Sequence, residues 1–269
     1  MTIRNLFKAL AITSALGLAL TACGSSDDGD GNKTGTAGSD LNLVKSGSLT
    51  VCSDVPYAPF EDFDKSSPSG FKGFDVDVVT EIAKKLDLKL VYKDSDFNAL
   101  QSGLAMNSGQ CDMAASAMTI TDERAKKIGF SDPYYDSKQS LLVPSDSTIT
   151  GIADLDGKSL GVQRDTTGAT YAADNAKGAK IIAYKDDGSE FNALKAGNVD
   201  ALLQDLPVNL SHTTDGKFKV VETYDTDEHY GLAMKKTNTA LIDKVNEILA
   251  GMKSDGSYQK IYETYFKTT

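Results

Sequence analysis

The sequence predicts an α/β protein made of two similar lobes, because one strand–helix–strand pattern occurs twice along the chain. Residues 95–103 and 189–197 read SDFNALQSG and SEFNALKAG, with identical residues at six of nine positions. A Ser-Leu-x-Val-x-x-Asp segment precedes each copy, and a Gly-x-x-Asp step into an apolar run follows it. These flanking segments are residues 48–54 and 159–165, and residues 109–112 and 197–200. Two repeated α/β lobes of this kind typically hold a ligand between them.

Strand and helix signals alternate from residue 49 onward. Apolar residues at helical spacing predict one helix around residues 76–86 and another around 241–252, with Gly256 ending the second. This alternation predicts that each lobe is a mostly parallel sheet flanked by helices. The predicted strands are residues 49–53, 88–92, 113–115, 140–143, 159–162 and 201–203.

The second repeat unit is complete near Asp205, yet more than 60 residues follow it. The simplest topology lets the chain cross into the second lobe near residues 135–138 and return near residues 229–231. Two such crossovers form a hinge. We therefore expect the first lobe to comprise residues 47–136 and 231–269, and the second lobe residues 137–230.

The N-terminal region has the pattern of an exported lipoprotein. Residues 1–22 combine two basic residues with an apolar stretch too short to span a bilayer, which is typical of a secretory signal peptide. Leu-Thr-Ala-Cys at its end resembles a bacterial lipobox, so we expect a lipid on Cys23. The alternative is an ordinary cleaved signal with an incidental cysteine. Residues 23–46 are rich in Gly, Ser and Asp, and predict a flexible tether.

The charge balance excludes some classes of partner. The chain has 38 acidic and 28 basic residues, a formal net charge of −10, and no Lys/Arg cluster, so nucleic acid is not an expected partner. Residues 28–39 begin like a calcium loop, but Lys33 and Ser39 stand where that loop needs Gly and Glu. We expect no metal and no cofactor.

Two cysteines remain after Cys23, and they fall on predicted neighbouring strands of the first lobe. Cys52 lies on its first strand and Cys111 at the start of the strand that carries Asp112. Disulfides persist in exported proteins, so a Cys52–Cys111 bridge is one expectation. Two buried free thiols are the other.

The strand ends carry the residues best suited to bind a ligand. Arg124 presents a rigid fork that matches a carboxylate, and Thr119 could add its hydroxyl and backbone N–H to the same oxygens. Asp205 ends a strand of the other lobe and could accept an ammonium group. These opposed charges predict a zwitterionic ligand. The alternative is that Arg124 forms a weak surface ion pair with a neighbouring acidic residue.

Several motifs over residues 49–266 resemble the family 3 solute-binding proteins of ABC importers for polar amino acids, especially the glutamine-binding and lysine/arginine/ornithine-binding proteins. The resemblance implies the two-lobed type II periplasmic-binding-protein fold with two hinge crossovers. The motifs are DVPYAPFE at 54–61, GFDVD at 73–77, DF at 96–97, TITDER at 119–124, FSDPYY at 130–135 and DGSY at 255–258.

The resemblance also implies how a polar L-amino acid would be held. The expected contacts are Arg124, Thr119 and the backbone at Thr167 for the α-carboxylate, Asp205 and Ser116 for the α-ammonium, Tyr57 and Phe97 as aromatic walls, and Asp54 and Gln163 at the far end of the side chain. Three places depart from the family. Arg164-Asp165 stands where a glycine usually precedes the Thr pair. Gln163 stands where the glutamine binders have Lys, and Ala117 stands where the basic-residue binders have a second Ser. Glutamine and a basic amino acid therefore both remain open.

The function predicted from the sequence is capture of an amino acid outside the cytoplasm, by a monomer anchored to the membrane through the lipid on Cys23, and its delivery to the subunits of an ABC permease. We expect no enzymatic activity and no catalytic residue, because the chain has only two histidines and no Ser/His/Asp, HExxH or CxxC pattern. The alternatives are a dehydratase-like enzyme on the same fold and a ligand-sensing module for a separate receptor.

Overall fold

The computed structural model describes residues 40–266 of the chain. The predicted signal peptide, Cys23 and the tether as far as residue 39 lie outside the described residues. Within residues 40–266 no helix has the length and apolar character needed to span a membrane, and no group of His, Cys, Asp and Glu side chains is arranged to hold a metal ion.

The described residues form twelve strands, nine α-helices and one 3-10 turn at Ile152–Leu155. The strands are β1 Ser48–Ser53, β2 Asp62–Phe63, β3 Phe71–Lys72, β4 Lys89–Asp94, β5 Met113–Ala114, β6 Gly129–Phe130, β7 Tyr135–Pro144, β8 Ser159–Gln163, β9 Lys180–Tyr184, β10 Ala201–Asp205, β11 Phe218–Tyr230 and β12 Ala233–Met234. The helices are α1 Phe74–Lys85, α2 Phe97–Gln101, α3 Leu104–Asn107, α4 Asp122–Lys127, α5 Thr167–Asn175, α6 Asp187–Lys195, α7 Leu206–Ser211, α8 Thr239–Asp255 and α9 Ser257–Tyr265.

Most strands belong to two five-stranded sheets. The first has the order β4-β1-β5-β12-β6 and the second the order β11-β7-β10-β8-β9. β1 is parallel to β4 and β5, and β8 and β10 are parallel, as are β8 and β9. β12 and β7 are antiparallel to both of their neighbours. Four of the five strands in each sheet therefore point the same way. The first lobe is the part of the chain built on the first sheet, and the second lobe is the part built on the second sheet.

The sequence repeat corresponds to a repeated strand order, β4-β1-β5 in one lobe and β9-β8-β10 in the other. The acidic residue of each Gly-x-x-Asp step closes its unit in the same way. Asp112 accepts the backbone N–H of Thr50 on β1 at 2.7 Å, and Asp200 accepts that of Ser159 on β8 at 2.7 Å. The repeated aspartates thus join β1 and β8, the first strands of the two repeat units, by a hydrogen bond to the segments that enter β5 and β10.

The two crossings between the lobes lie side by side. β7 leaves the first lobe at Tyr135 and β11 returns to it at Tyr230, and these two residues are cross-strand partners. An outgoing and a returning segment run in opposite directions, so they can pair only as antiparallel strands. This is why the sheets are mixed, although the strand–helix alternation by itself favours parallel pairing.

The larger core cluster lies in the first lobe. Val79 and Ile82 of α1 belong to the same buried cluster as Leu49 and Val51 of β1, and α8 adds its apolar stripe to it. Gly256 ends α8 in a left-handed conformation (φ 77°), as its position predicts, but the chain then continues as α9. The tyrosines of α9 pack against this core.

The segment before β1 also belongs to the first lobe. Leu41 and Leu43 pack against its core, and the side chain of Asn238 donates a hydrogen bond of 2.9 Å to the carbonyl oxygen of Leu41. The backbone N–H of Val44 donates to Asp112 at 2.6 Å. Residues 41–44 are therefore held against the lobe. The sequence instead suggests that a flexible tether runs as far as residue 46.

Cys52 and Cys111 form a disulfide bond, with their Cα atoms 6.0 Å apart. Both residues are buried, in a cluster with Leu100, Ala114 and Met118 between the first sheet and the α2–α3 segment. Of the two alternatives that the sequence left open, the structure contains the bridged one.

Replacing Cys52 and Cys111 together with Ala should reduce the free energy of unfolding by on the order of 4 kcal/mol, because the bridge closes a loop with a sequence separation of 59 residues. Denaturant unfolding of the variant and of the wild type, each with and without a reductant, measures this difference. Reduced wild type is the matched control and should resemble the variant. A difference below about 1 kcal/mol would show that the bridge contributes little.

Candidate functional site

A cavity lies between the lobes, where the carboxyl ends of strands from both sheets meet. This is where ligands bind in open α/β sheets. All ten ligand-binding positions expected from the sequence line it: Asp54, Tyr57, Phe97, Ser116, Ala117, Thr119, Arg124, Gln163, Thr167 and Asp205. Four further residues line the cavity without having been expected: Gln139, Thr166, Gly168 and Gln204.

Arg124 is a buried cation with a side chain that is already oriented. Thr121 is the N-cap of helix α4, and its hydroxyl accepts a hydrogen bond from the backbone N–H of Arg124 at 3.2 Å. The guanidinium donates to the carbonyl oxygens of Thr119 at 2.8 Å and of Asp165, in the other lobe, at 3.1 Å. It also lies 5.1 Å from the ring centre of Phe97. Only 5% of Arg124 is exposed, so the surface ion pair considered above does not describe it.

The charge of Arg124 has no direct counterion. In the part of the chain that the structure describes, no carboxylate forms an ion pair with it. Burial lowers the pKa of the guanidinium, and the more distant charges of Glu228 and Asp205 oppose that shift. An arginine nevertheless stays protonated in a protein, so Arg124 presents unused positive charge to the cavity.

Asp205 is the matching buried anion of the second lobe. Its carboxylate accepts hydrogen bonds from Tyr57 of the first lobe at 2.8 Å, from Tyr230 and from the side-chain amide of Gln139. The pKa of Asp205 is raised to about 7, chiefly by burial; the charge of Glu228 contributes to this rise, and the three donors oppose it. No cation among residues 40–266 forms an ion pair with Asp205.

Asp54 is a second buried carboxylate of the cavity wall. It accepts a hydrogen bond from the side-chain amide of Gln163 in the opposite lobe, and Gln163 also donates to the carbonyl oxygen of Lys185 at 3.1 Å. The pKa of Asp54 is raised to about 7, chiefly by burial; the hydrogen bond from Gln163 opposes the rise, and the negative charges of Asp186 and two other aspartates add to it.

Ser116 and Ala117 are held from below by a buried pair of acidic residues. Ser116 donates its hydroxyl proton to Glu61 at 2.7 Å and accepts the backbone N–H of Asp54 at 3.0 Å. Ala117 has a positive φ of 44° and donates its N–H to Asp75 at 2.9 Å. Burial raises the pKa of both Glu61 and Asp75, and the charge of Asp75 raises that of Glu61 further. Because the hydroxyl hydrogen of Ser116 is already used in the bond to Glu61, the hydroxyl can only accept a hydrogen bond from a ligand in the cavity.

The two copies of the repeated Phe have different surroundings. Phe97 lines the cavity beside Arg124, whereas Phe191 stacks on the ring of His212 at 3.7 Å within the second lobe. Of the two equivalent positions, only Phe97 is therefore part of the cavity wall.

Glu228 is an important residue that the sequence analysis missed. It lies behind the cavity on β11, is 5% exposed, and accepts hydrogen bonds from Thr119 at 2.6 Å and from Thr167 at 2.8 Å. The hydroxyl of Thr119 is therefore not free to donate to a ligand, contrary to expectation. No local signal marks Glu228, since its surroundings, YDTDEHY, read as an exposed polar segment.

The comparison with protein families gives one match over almost the whole described chain. Residues 49–268 match the model of the bacterial extracellular solute-binding proteins, family 3. A probable histidine-binding protein of Neisseria gonorrhoeae is 30% identical over 257 residues, which cover 93% of this chain and 91% of that protein. The glutamine-binding protein GlnH of the Bacillus subtilis ABC transporter is 34% identical over 209 residues, covering 76% of each chain.

Solved structures give the same result. An ancestral arginine-binding protein bound to glutamine superposes with a TM-score of 0.76 at 36% identity, covering 82% of this chain and 99% of that one. The ancestral amino acid-binding protein AncCDT-1, described as a precursor of cyclohexadienyl dehydratase, gives a TM-score of 0.75 at 34% identity over 82% of this chain and 96% of that one. With the two-lobed fold and a cavity lined at every expected position, the chain belongs to family 3 of the bacterial extracellular solute-binding proteins, the amino-acid-binding family of ABC importers.

Proposed function

We propose that this protein captures one polar L-amino acid between its lobes and delivers it to an ABC permease. The observation that carries the proposal is the pair of opposite buried charges that face one cavity from different lobes. Arg124 of the first lobe has no carboxylate partner and Asp205 of the second has no cation partner in the described part of the chain. An amino acid supplies both missing charges on one carbon atom.

The carboxylate of the ligand would bind Arg124 together with the backbone N–H groups at Thr119 and Thr167. The ammonium group would bind Asp205 and the lone pair of Ser116. Since the Ser116 hydroxyl already donates a hydrogen bond to Glu61, it suits a ligand group that donates hydrogen bonds, as an ammonium does.

The charge of the cavity favours a ligand whose side chain is cationic. After the ligand's own two charges are matched by Arg124 and Asp205, Asp54 still lacks a counterion. The nearby basic residues are used elsewhere, since Lys185 pairs with Asp186 at 3.0 Å and Arg164 lies 3.9 Å from Asp96. Leaving a buried carboxylate uncompensated is costly, and a guanidinium or ammonium group between Tyr57 and Phe97 would relieve that cost and gain from their ring faces.

Closure follows from the position of these groups, because each pole of the ligand is held by a different lobe. Several bonds already join the lobes across the cavity in this structure: Arg124 to Asp165, Tyr57 to Asp205, Gln163 to Asp54, and Asn98 to Asp165. A ligand bound at both poles has a higher affinity for the closed arrangement than for an open one, which is what drives closure.

Export, lipid anchoring through Cys23, a monomeric state and docking on permease subunits complete the proposal. The similarity to binding proteins of ABC transporters supports the permease as partner. A ligand-sensing role for a separate receptor uses the same cavity. Import would be favoured by loss of amino-acid uptake after deletion of the gene, and sensing by unchanged uptake with a lost cellular response.

A dehydratase is the second candidate function, and two observations favour it. Burial is the main cause that raises the pKa of Asp205 to about 7, which suits a general acid, and AncCDT-1 is a structural neighbour. Neither histidine lines the cavity, however, since His212 is bonded to Asp187 and His229 to Asp136. A product formed from prephenate, detected by chromatography, would establish this activity.

A thermal-shift screen of the common L-amino acids with ornithine and citrulline should find a ligand that stabilises the protein. A ligand at about 100 times its dissociation constant adds about 2.7 kcal/mol to the free energy of unfolding, which is a readily measured shift. D-enantiomers are the matched controls and should shift the transition less. If no amino acid in the screen raises the transition, the proposed function is wrong.

Replacing Arg124 with Ala should weaken amino-acid binding by roughly a hundredfold to several thousandfold. An unpaired buried ligand carboxylate costs about 3 to 5 kcal/mol, and 1.4 kcal/mol corresponds to a factor of ten. Isothermal titration calorimetry measures the change. Arg164→Ala is the control, because the Arg164 side chain is 52% exposed and lies outside the cavity wall. A loss of less than about fivefold in Arg124→Ala would refute the carboxylate assignment.

L-arginine should bind at least about thirtyfold more tightly than L-citrulline, which has nearly the same shape but an uncharged end group. Asp54→Asn should remove most of this difference, because it removes the uncompensated charge and keeps the shape. Competition calorimetry measures both ratios, with Asp225→Asn as a control on a side chain that is 77% exposed. Tighter binding of citrulline or glutamine by the wild type would instead favour the neutral-ligand alternative.

A further inference from the structure

Glu228 is the point at which both lobes and the crossing strands meet. Its Oε2 accepts the hydroxyl proton of Thr119 from the first lobe at 2.6 Å and that of Thr167 from the second lobe at 2.8 Å. Its Oε1 accepts the side-chain amide of Gln139 and the hydroxyl of Thr226, each at 2.9 Å. The carboxylate thus has four donors and, among residues 40–266, no cation partner.

The backbone of β11 is irregular where it directs Glu228 inward. Tyr224 pairs with Gln139 and Glu228 with Ser137, so β11 advances four residues while β7 advances two. The bulge that takes up the extra residues contains Asp227, whose φ of 52° is uncommon for a residue other than glycine. This bulge turns the Glu228 side chain toward the back of the cavity.

The cavity has two oppositely charged ends, or poles, one at Arg124 and the other at Asp205. Thr119 and Thr167 both lie at the Arg124 pole. Thr119 is the residue whose carbonyl oxygen accepts from the guanidinium, and Thr167 begins α5. Both hydroxyl groups donate a hydrogen bond to Glu228. Their side chains are therefore held away from the ligand, and the backbone N–H groups at these positions are what each threonine can offer to a carboxylate.

Gln139 connects this pole with the other one. Its two amide hydrogens go to Glu228 and Asp205, and its side-chain oxygen has no hydrogen-bond partner in the described part of the chain. The opposite amide orientation would place that oxygen against two carboxylates, so the observed one is fixed by electrostatics. Gly168 leaves the room for it, since a Cβ there would lie 2.8 Å from the Gln139 oxygen.

We propose that Glu228 is a positioning residue for both poles of the amino-acid site: it holds Thr119 and Thr167 in register across the closed cleft, and through Gln139 it orients Asp205. This inference rests on the proposed function, because it assigns Glu228 a part in binding that ligand. Glu228 acts through other residues and does not itself line the main cavity.

The effect of Glu228 on Asp205 gives a readout that separates positioning from simple support of the fold. The charged or titratable groups that face Asp205 are Tyr57, Tyr230, Glu228 and, more distantly, Arg124, Glu190, Glu61 and Tyr135. After burial, the charge of Glu228 is the largest cause that raises the pKa of Asp205. Glu228→Gln removes that charge, so Asp205 should stay ionised to lower pH.

The test compares Glu228→Gln with Glu222→Gln, a matched change on the same strand at a residue that accepts from Ile152 and Tyr224 away from the cavity. The probes are L-arginine and L-glutamine, titrated calorimetrically from about pH 5 to pH 8. Wild-type affinity should fall below about pH 7, because a protonated Asp205 cannot match the ammonium charge. Asp54 titrates in the same range but does not depend on Glu228, so its contribution is equal in both proteins.

Glu228→Gln should weaken binding at pH 8 by about tenfold to a hundredfold, and the acid limb of its pH profile should move to lower pH. Glu222→Gln should change neither property. Thr119→Val should cost much less in the Glu228→Gln background than in the wild type, since the hydroxyl acts through Glu228. Additive losses, an unmoved acid limb, or affinity within about twofold of the wild type would each overturn the proposal.

If Glu228→Gln does not fold, Thr119→Val and Thr167→Val are the variants to measure. Each removes one hydroxyl donor to Glu228 and retains the backbone N–H, and each should weaken binding by about tenfold. Unchanged affinity in both would overturn the proposal. Failure of the wild type to bind any amino acid is a different result, because it would refute the proposed function itself.

Discussion

The constraint on which the site depends is the burial of a guanidinium that no carboxylate in the described chain neutralises. Burying an isolated charge is costly, and a fold accepts that cost where the partner comes from outside. Arg124 is kept in this state by bonds to carbonyl oxygens, which orient it without cancelling its charge. Asp205 has the opposite charge in a similar setting, because its carboxylate is surrounded by neutral hydrogen-bond donors. Each lobe thus carries half of a charge pattern that is complete only with a ligand present.

The crossing strands make these halves meet. Because β7 and β11 are hydrogen-bonded to each other and to the rest of the second sheet, the hinge is a pair of strands and not a loose linker. Gln139 lies on the outgoing strand and lines the cavity, and Glu228 lies behind the cavity on the returning strand. Their bonds span Thr119 in one lobe and Thr167 and Asp205 in the other. The strands that cross between the lobes therefore also carry polar contacts to both of them.

Much of the site could be predicted from the sequence, because Arg124, Asp205 and Gln163 end strands or begin helices in recognisable motifs. The residues behind it could not. Glu228 points inward only because of a bulge that depends on its pairing with β7. Glu61 and Asp75 form a buried acidic pair. Both lie in motifs quoted above, but the sequence does not indicate that they are buried together. Helix α9 was missed because Gly256 ends one helix and starts another in the same left-handed conformation.

Leu41 and Leu43 attach the start of the described chain to the first lobe. The chain enters this lobe immediately before β1, and its last two helices pack on the same core. Within the described residues the chain enters the second lobe through β7 and leaves it through β11, so both ends of the described chain belong to the same half of the molecule.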